Sequence, residues 1–283
     1  MVVAALLARP NPFARRCKDR PDALVIAGGG AKGISALGAV HALRTAGRLK
    51  DVRVVAGTSA GAIVAASVAL DRSATDLLKK IVRDEYAPDL NIRDFASTFG
   101  IDSGAQVSRW IDAVLEGPMT FADVHATTGK DLIVVATNLT NRGATYFSRA
   151  SHPDMDVATA IRMSCAIPLY FSSIKHDGCV YVDGGVTDNF CYEHVAGLKG
   201  VRNPLGIAYR YTGGASGPVD TPEKYLVALV HCATVHQSVR DGANVLHVDC
   251  GDVGVFAFKK VSEMKRLFKH GVMQTRDWLK KIV

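Results

Sequence analysis

Two patterns of apolar residues follow one another along this chain: short continuous runs, and residues that recur every three or four positions. This succession predicts alternating strands and helices. Short continuous runs of apolar and β-branched residues predict buried strands near residues 23–27, 52–56, 131–136, 144–148, 179–182, 205–211 and 244–249. Segments with apolar residues every three or four positions predict helices near residues 33–46, 60–70, 74–86, 104–116, 156–164, 222–239 and 259–281. This order predicts a three-layer α/β/α sandwich, in which helices cover both faces of a mixed, mostly parallel central sheet.

The first predicted strand runs into a glycine-rich loop that opens the first helix. This loop consists of Gly28, Gly29, Gly30, Ala31, Lys32 and Gly33. Three successive glycines leave backbone N–H groups unshielded, and such amides at a helix N-terminus can bind an anion or the negative oxygen of a carbonyl under attack. The spacing also fits a dinucleotide fingerprint, but that fingerprint needs an acidic residue at the end of the second strand, which this chain lacks. Nucleotide or anion binding by the loop stays open as an alternative.

The second predicted strand leads into a Gly-x-Ser-x-Gly turn and then into a helix. The turn consists of Gly57, Thr58, Ser59, Ala60 and Gly61. A serine in this context can become a nucleophile, because the sharp turn holds its hydroxyl at the mouth of the sheet beside the helix N-terminus. The alternative is an ordinary strand-to-helix turn, in which Ser59 is only an N-cap.

A later predicted strand delivers the carboxylate of Asp183 into the glycine pair Gly184 and Gly185. Glycines at these positions allow close approach of the backbone. Taken alone, an Asp-Gly-Gly sequence is usually a turn.

As a set and in this order, the three segments resemble the patatin-like phospholipase family. The glycine loop is similar to the family's oxyanion loop, the Ser59 turn to its nucleophile turn, and the Asp183 segment to the motif with the second member of its Ser-Asp dyad. The stretch from Ser164 to Phe171 is similar to the family's small-residue and proline stretch, so the resemblance covers roughly residues 23–189.

Two positions depart from the family pattern. Ala27 precedes the triple glycine, where family members often have an acidic residue or serine. Asn189 is followed by Phe190 and Cys191, where the family commonly has a proline two positions on. These departures affect the expected geometry of two loops and leave Ser59 and Asp183 in place.

The resemblance implies a lipid acyl hydrolase, that is, a serine carboxylic ester hydrolase of the phospholipase A or lysophospholipase type. It implies an acyl-Ser59 intermediate, Asp183 as the base, the glycine loop as the oxyanion hole, and a phospholipid or other acyl lipid as substrate. No metal and no other cofactor are expected, and an activating protein partner is left open. Because a solvated carboxylate with a pKa of about 4 is a weak base, we expect Asp183 to be desolvated. A catalytically inactive relative that docks on membranes or partners is an alternative.

A Ser-His-Asp triad is the rival mechanism. Its chain order of nucleophile, acid and histidine is met formally by Ser59, Asp183 and a later histidine. The histidines in question are His194, His231, His236, His247 and His270. Only one predicted strand and one predicted helix precede Ser59, however, whereas a triad hydrolase of this order normally builds several strands first. The dyad is therefore favoured.

Composition and charge suit one large α/β domain between two basic ends. The chain has 283 residues, of which 48% are hydrophobic and 22% charged, and a net charge of +7. We expect a basic N-terminal arm at 1–20, a catalytic domain at 21–258, and a basic amphipathic helix at 259–283 packed on or beside it. Residues 1–20 hold five basic residues and one acidic, and residues 259–281 hold eight and two. This distribution does not resemble a nucleic-acid groove, so no nucleic-acid partner is expected.

Association with a membrane surface is the remaining expectation. The basic C-terminal helix either covers a sheet edge or anchors the protein to a membrane surface. The segment 87–129 is a candidate lid, a candidate wall of an acyl pocket, or a structural insertion. The longest uncharged apolar run, residues 56–70, is too short to span a bilayer, and residues 2–8 lack the preceding basic residue of a secretory signal. An intracellular, cytoplasmic location with peripheral membrane contact is therefore expected.

Overall fold

The computed structural model describes residues 20–84, 87–210, 219–221, 225, 228–229, 232, 244–251, 253–256, 258 and 260–282. The predicted arm, apart from Arg20, lies outside the described residues, and so does most of the predicted helix near 222–239. Within that helix, the described residues Tyr225, Ala228, Leu229 and Cys232 are helical.

The described residues form alternating strands and helices. The strands are β1 (Ala23–Ile26), β2 (Val54–Thr58), β3 (Gly100–Asp102), β4 (Asp131–Asn138), β5 (Gly143–Ser148), β6 (Leu169–Phe171), β7 (Ile174–His176), β8 (Cys179–Asp183), β9 (Pro204–Arg210) and β10 (Val245–Asp249). The helices are α1 (Gly33–Thr45), α2 (Ala60–Ala69), α3 (Ala74–Arg83), α4 (Phe95–Thr98), α5 (Ala105–Leu115), α6 (Phe121–Thr128), α7 (Val157–Ser164), α8 (Tyr192–Ala196) and α9 (Val261–Ile282). Short 3₁₀ turns occupy Gly30–Lys32, Ile92–Asp94 and Gly184–Val186.

The main sheet is mixed and mostly parallel, as predicted. Its strand order is β10-β9-β1-β2-β4-β8-β7, with β5 paired to β4. The strands from β10 to β4 run parallel to their neighbours, whereas β5 and β8 run antiparallel to β4. Alternate residues of β1 enter two separate cores, Leu24 and Ile26 on one side and Ala23 and Val25 on the other. Both faces of the sheet are therefore covered, and the predicted α/β sandwich is confirmed.

The pairing of β4 brings two distant parts of the chain end to end. Residues 133–135 of β4 pair with both β2 and β5, and residues 136–138 pair with both β5 and β8. Because a strand has two edges, β2 and β8 must share the edge of β4 opposite β5. Thr58 pairs with Val135, and Asp183 pairs with the next residue, Ala136. The register thus places the end of β2 beside the end of β8.

Several short elements were not predicted. The strands β3, β6 and β7 have three residues each, and the helices α4 and α8 have four and five residues. Elements this short do not show a periodic pattern of apolar residues. The helix α6 was also missed. Side chains cap two of the helices: the Ser73 side chain accepts from the Asp76 amide at the start of α3, and Thr120 and Asp123 make a reciprocal capping box at the start of α6.

The C-terminal helix α9 packs on α1 along most of its length. Its buried residues are Met264, Leu267, Phe268, Gly271 and Thr275. The two helices approach closely at glycines: a Cβ atom at Gly38 would lie 2.1 Å from the Phe268 carbonyl oxygen, and one at Gly271 would lie 2.0 Å from the Ser35 carbonyl oxygen. Among the described residues, the helices are too short or too polar to cross a membrane.

This close contact predicts an unusual effect of alanine at Gly271. Alanine in place of a helical glycine normally stabilises by about 1 kcal/mol. Here the added methyl group would clash with the Ser35 backbone of α1, so we expect Gly271→Ala to destabilise the protein by about 1–3 kcal/mol. Thermal unfolding should show a midpoint several degrees lower. Gly197→Ala is the control, because its Cβ would make only ordinary contacts, the nearest at 3.4 Å. An unchanged midpoint for Gly271→Ala would contradict the packing.

Candidate active site

Ser59 sits at the turn between β2 and α2 in a strained conformation. Its φ is 53° and its ψ is −130°, outside the regions that a residue with a side chain normally adopts. Ser59 occupies the N-cap position of α2, but its hydroxyl makes no capping hydrogen bond to this helix. The glycines beside it are required by space: a Cβ at Gly57 would lie 2.3 Å from the Gly61 carbonyl oxygen, and one at Gly61 would lie 2.4 Å from the Ile26 carbonyl oxygen.

The Ser59 hydroxyl donates a hydrogen bond to the Asp183 carboxylate, with 2.6 Å between Oγ and Oδ2. Both side chains are buried. The second carboxylate oxygen, Oδ1, accepts from the Gly185 amide at 2.7 Å, which fixes the plane of the group. The backbone of Asp183 is held by two hydrogen bonds: its N–H donates to the Ala166 carbonyl, and the Thr137 hydroxyl donates to its carbonyl.

Burial raises the pKa of Asp183 to about 6, while the bonds from Ser59 and Gly185 oppose the rise. A carboxyl with this pKa is ionised at neutral pH and is a stronger base than a solvated aspartate. The desolvated environment expected for Asp183 is therefore present in the structure.

Ser164, at the end of α7, connects the serine turn to the sheet. Its hydroxyl oxygen accepts from the Ser59 amide at 2.8 Å and donates to the Val135 carbonyl oxygen at 2.5 Å. The sequence placed Ser164 only in a family-like stretch and gave it no role. The structure shows that it ties the strained residue to β4, next to the point where β8 delivers Asp183.

The glycine loop lies beside Ser59, but its amides are not equivalent. The Gly28 amide donates to the Asn189 carbonyl at 3.0 Å, and the Ala31 amide donates to the Val255 carbonyl at 2.8 Å. The amides of Lys32 and Gly33 bond within the loop. Within the described part of the chain, the Gly29 and Gly30 amides have no acceptor. Of the six residues predicted to form an oxyanion loop, Gly29 and Gly30 are therefore the two whose amides are available to a ligand in the described structure.

Asn189 holds the glycine loop. Its carbonyl oxygen accepts from the Gly28 amide, and its side-chain amide donates to the Gly28 carbonyl at 3.2 Å. A Cβ at Gly28 would lie 2.3 Å from the Asn189 side-chain oxygen, so a glycine is needed there. The loop after Asp183 therefore positions the glycine loop as well as the carboxylate.

An apolar pocket, partly open to solvent, begins at Ser59. Its walls come from α2, α5, the segment before β6 and the segment after β10. The lining residues are Gly30, Ser59, Ala60, Ile63, Val107, Trp110, Cys165, Ile167, Phe171, Val255, Phe256 and Phe258. Val107 and Trp110 belong to the 87–129 segment, so this segment forms part of a pocket wall.

The described histidines lie apart from the Ser59–Asp183 contact. The His194 ring stacks on Tyr146 with 3.7 Å between centroids, His247 lies on β10, and His270 contacts Gln274. Because Ser59 bonds Asp183 directly, a triad with an imidazole between the two side chains does not fit this geometry. His231 and His236 lie outside the described residues. Across the described ranges, His, Cys, Asp and Glu side chains form no group of three or more that could hold a metal ion.

The role of Ser164 gives a prediction for Ser164→Ala. Loss of the hydroxyl removes the acceptor of the buried Ser59 amide and one donor to the Val135 carbonyl, which costs about 1–3 kcal/mol of stability. Because the turn is strained, we expect the reactivity of Ser59 to fall about tenfold in kcat on a soluble ester, with KM unchanged. Ser67→Ala is the matched control, since the hydroxyl of this buried serine donates to the Val64 carbonyl within α2. Equal kcat for both variants would refute the positioning role.

The fold and this site together define a class of protein: an α/β protein whose serine, on a strand-to-helix turn, contacts an aspartate delivered by a neighbouring strand. The chain belongs to the patatin-like phospholipase family, whose family model matches residues 24–195. This confirms the family predicted from the sequence.

Three known proteins illustrate the similarity. The chain is 25% identical over 212 residues to a protein named probable lipid hydrolase 463L of Invertebrate iridescent virus 6, covering 71% of this chain and 68% of that protein. It is 34% identical over 191 residues to the YqhO protein of Bacillus subtilis, covering 59% of this chain and 64% of the relative. The crystal structure of VipD from Legionella pneumophila has a TM-score of 0.60 at 18% identity, over 93% of this chain and 67% of that one. The likeness to VipD shows the shared fold.

Proposed function

We propose that this protein is a serine carboxylic ester hydrolase that acts on lipids, of the phospholipase A or lysophospholipase type. The observation that carries the proposal is the 2.6 Å hydrogen bond from the Ser59 hydroxyl to the buried Asp183 carboxylate. Membership of the patatin-like phospholipase family and a relative named as a lipid hydrolase support lipid hydrolysis in general. The apolar pocket that begins at Ser59 is suited to an acyl chain.

In the first half of the proposed reaction, Ser59 Oγ attacks the carbonyl carbon of the ester while Asp183 Oδ2 takes the hydroxyl proton. A carbon–oxygen bond forms, and the carbonyl electron pair moves onto the oxygen. The amides of Gly29 and Gly30 donate to this oxyanion. The intermediate then collapses, the ester's carbon–oxygen bond breaks, and the departing alcohol takes the proton from Asp183. The acyl group is left on Ser59.

The second half returns the enzyme to its starting state. A water molecule attacks the acyl-Ser59 carbonyl carbon and gives a proton to Asp183, with the same two amides stabilising the oxyanion. Collapse breaks the bond to Ser59, which recovers its proton from Asp183, and the fatty acid leaves. Removal of one oxyanion donor typically costs about 3–4 kcal/mol of transition-state stabilisation, so Gly29 and Gly30 matter as much as the base.

Release of fatty acid from a defined lipid panel tests this function. Purified protein is incubated with phospholipids, lysophospholipids and a p-nitrophenyl ester, and free fatty acid and p-nitrophenol are measured. We expect turnover by the wild type and by Ser67→Ala. Turnover no faster than that of Ser59→Ala would favour the inactive relative. Nucleotide binding without ester cleavage would favour the alternative use of the glycine loop.

The raised pKa of Asp183 predicts the pH dependence of hydrolysis. Only the ionised carboxylate can accept the proton from Ser59, so kcat/KM on a soluble ester should rise about tenfold per pH unit below about pH 6 and level off above it. An imidazole base could give a similar midpoint, so the profile is measured at two temperatures. The pKa of a carboxylic acid barely moves with temperature, whereas that of an imidazole falls on warming. A midpoint that falls on warming would point to histidine and against Asp183.

A further inference from the structure

Four large apolar side chains are exposed together near the pocket, and we call them the rim patch. They are Leu90, Ile92, Phe99 and Leu169, with exposed fractions of 59%, 77%, 51% and 49%. Isolated apolar residues on a surface need no explanation, but a contiguous group of large ones marks an interaction site.

The four residues lie on or beside the two-stranded sheet of β3 and β6. Gly100 of β3 pairs in parallel with Leu169 of β6, and Phe99 directly precedes Gly100. Leu90 bridges Asp102 of β3 in antiparallel fashion, and the Asn91 amide donates to the Ile101 carbonyl at 2.7 Å. Ile92 follows this bridge and begins the 3₁₀ turn Ile92–Asp94.

Two residues of the rim patch are also strained. Phe99 has a φ of 57° and Leu169 a φ of 64°, both in the left-handed region that bulky residues rarely occupy. Asparagine or glycine would occupy this region at lower cost. Two strained residues with large, half-exposed apolar side chains, at the same end of one strand pair, indicate a surface kept for contact rather than for stability.

The rim patch is continuous with the wall of the pocket. Leu169 lies between Ile167 and Phe171, which line the pocket together with Ser59. Tyr170 and Phe171 are buried, whereas Leu169 faces outward. The segment 167–171 therefore presents the pocket wall on its inner side and the rim patch on its outer side.

The charged side chains around the rim patch are of both signs. Arg93 and Lys175 are exposed, and so are Asp89 and Asp177, whereas Asp102 is buried. The exposed apolar side chains, rather than a net charge, therefore distinguish this surface. By contrast, the apolar stripe of α9 is already packed on α1.

We infer that the rim patch is the surface through which this protein docks on a lipid bilayer. In this arrangement the apolar side chains of the rim patch enter the interfacial region of the bilayer. An acyl chain lifted from the bilayer then passes over segment 167–171 into the pocket. This inference rests on the proposed function, because it takes the substrate to be a membrane lipid.

The double variant Phe99→Asn/Leu169→Asn tests the rim patch. Asparagine removes the apolar groups but tolerates the left-handed conformation, so the thermal midpoint should stay equal or rise. Sedimentation with vesicles of equimolar phosphatidylcholine and phosphatidylglycerol should show binding weakened by about tenfold or more. Phospholipid hydrolysis in the same vesicles should fall in parallel, while hydrolysis of a soluble p-nitrophenyl ester stays unchanged.

Met273→Gln is the matched control, since Met273 is an exposed apolar residue on α9, and it should bind vesicles as the wild type does. Wild-type binding by the double variant, or no vesicle binding by the wild type, would overturn the inference. A loss of binding in Met273→Gln alone would place the contact on α9 instead. A lower midpoint together with lost soluble-ester activity would mean that the patch is structural, which also overturns it.

A failure of the proposed function would look different. Ser59→Ala should bind vesicles normally while it hydrolyses nothing. If the wild type cleaves no ester, yet the double variant still loses vesicle binding, the docking surface stands and the hydrolase proposal falls.

Discussion

Ser59→Ala should lower ester hydrolysis by about four orders of magnitude or more. The hydroxyl is the group that would form the acyl intermediate, and replacement of a serine nucleophile elsewhere has an effect of this size or larger. The oxyanion donors and the pocket remain, so slow residual hydrolysis by water is expected. The measurement is the rate of p-nitrophenyl ester cleavage, compared with Ser67→Ala as the matched buried-serine control.

The fold should survive Ser59→Ala. Alanine keeps the small size that the turn requires, and the variant loses one hydrogen bond to a charged group, worth about 1.5–3 kcal/mol. Circular dichroism and the thermal midpoint check that the loss of activity is not a loss of fold. Activity within about tenfold of the wild type in a folded Ser59→Ala protein would exclude Ser59 as the nucleophile.

Asp183→Asn should abolish activity and stabilise the protein at neutral pH. Asparagine can keep the shape of the contact, since its carbonyl can accept from Gly185 and its amide can donate to Ser59. It cannot take a proton, so hydrolysis should fall by about three to four orders of magnitude. Ester cleavage at pH 7 and unfolding by urea measure the two effects in the same preparations.

The sign of the stability effect follows from the pKa of Asp183. Burial raises it from 3.8 to about 6, so the folded state binds this proton more tightly than the unfolded state. The stabilising contribution of Asp183 to the free energy of unfolding is fully present below about pH 4 and is lost as the pH rises through about 6. At pH 7 Asp183→Asn should therefore gain on the order of 2–3 kcal/mol, and at pH 4 the gain should vanish. A variant less stable than the wild type at pH 7 would contradict the buried, ionised carboxylate.

The strands and helices that position Ser59 could be predicted because their patterns are local. The β2 run, the Gly57–Gly61 turn and the apolar start of α2 are contiguous, so the sequence contains the whole unit. The same holds for β1, the glycine loop and α1. The proximity of Asp183 to Ser59, in contrast, does not follow from a local pattern. It depends on β2 and β8 both pairing with β4, which brings Ser59 and Asp183 together across 124 positions of sequence and which no local pattern encodes.

The supporting residues could not be predicted for the same reason. Ser164 and Asn189 act through single hydrogen bonds to backbone groups of Ser59 and Gly28, and a lone serine or asparagine carries no periodic signal. Which amides of the glycine loop are already hydrogen-bonded depends on residues far along the chain, such as Val255, whose carbonyl accepts from the Ala31 amide. The triple glycine predicted exposed amides, but only the packed structure tells which remain open.

Labelling with an alkyl fluorophosphonate, followed by peptide mass mapping, tests the central claim most directly. The claim is that one alcohol, one carboxylate and two backbone amides surround a single reacting centre. The serine oxygen forms a bond to phosphorus, fluoride leaves, and Asp183 takes the proton. We expect one adduct per chain, on Ser59, with slow labelling in Asp183→Asn and none at that position in Ser59→Ala. An adduct on another residue, or labelling of Asp183→Asn at the wild-type rate, would contradict the account.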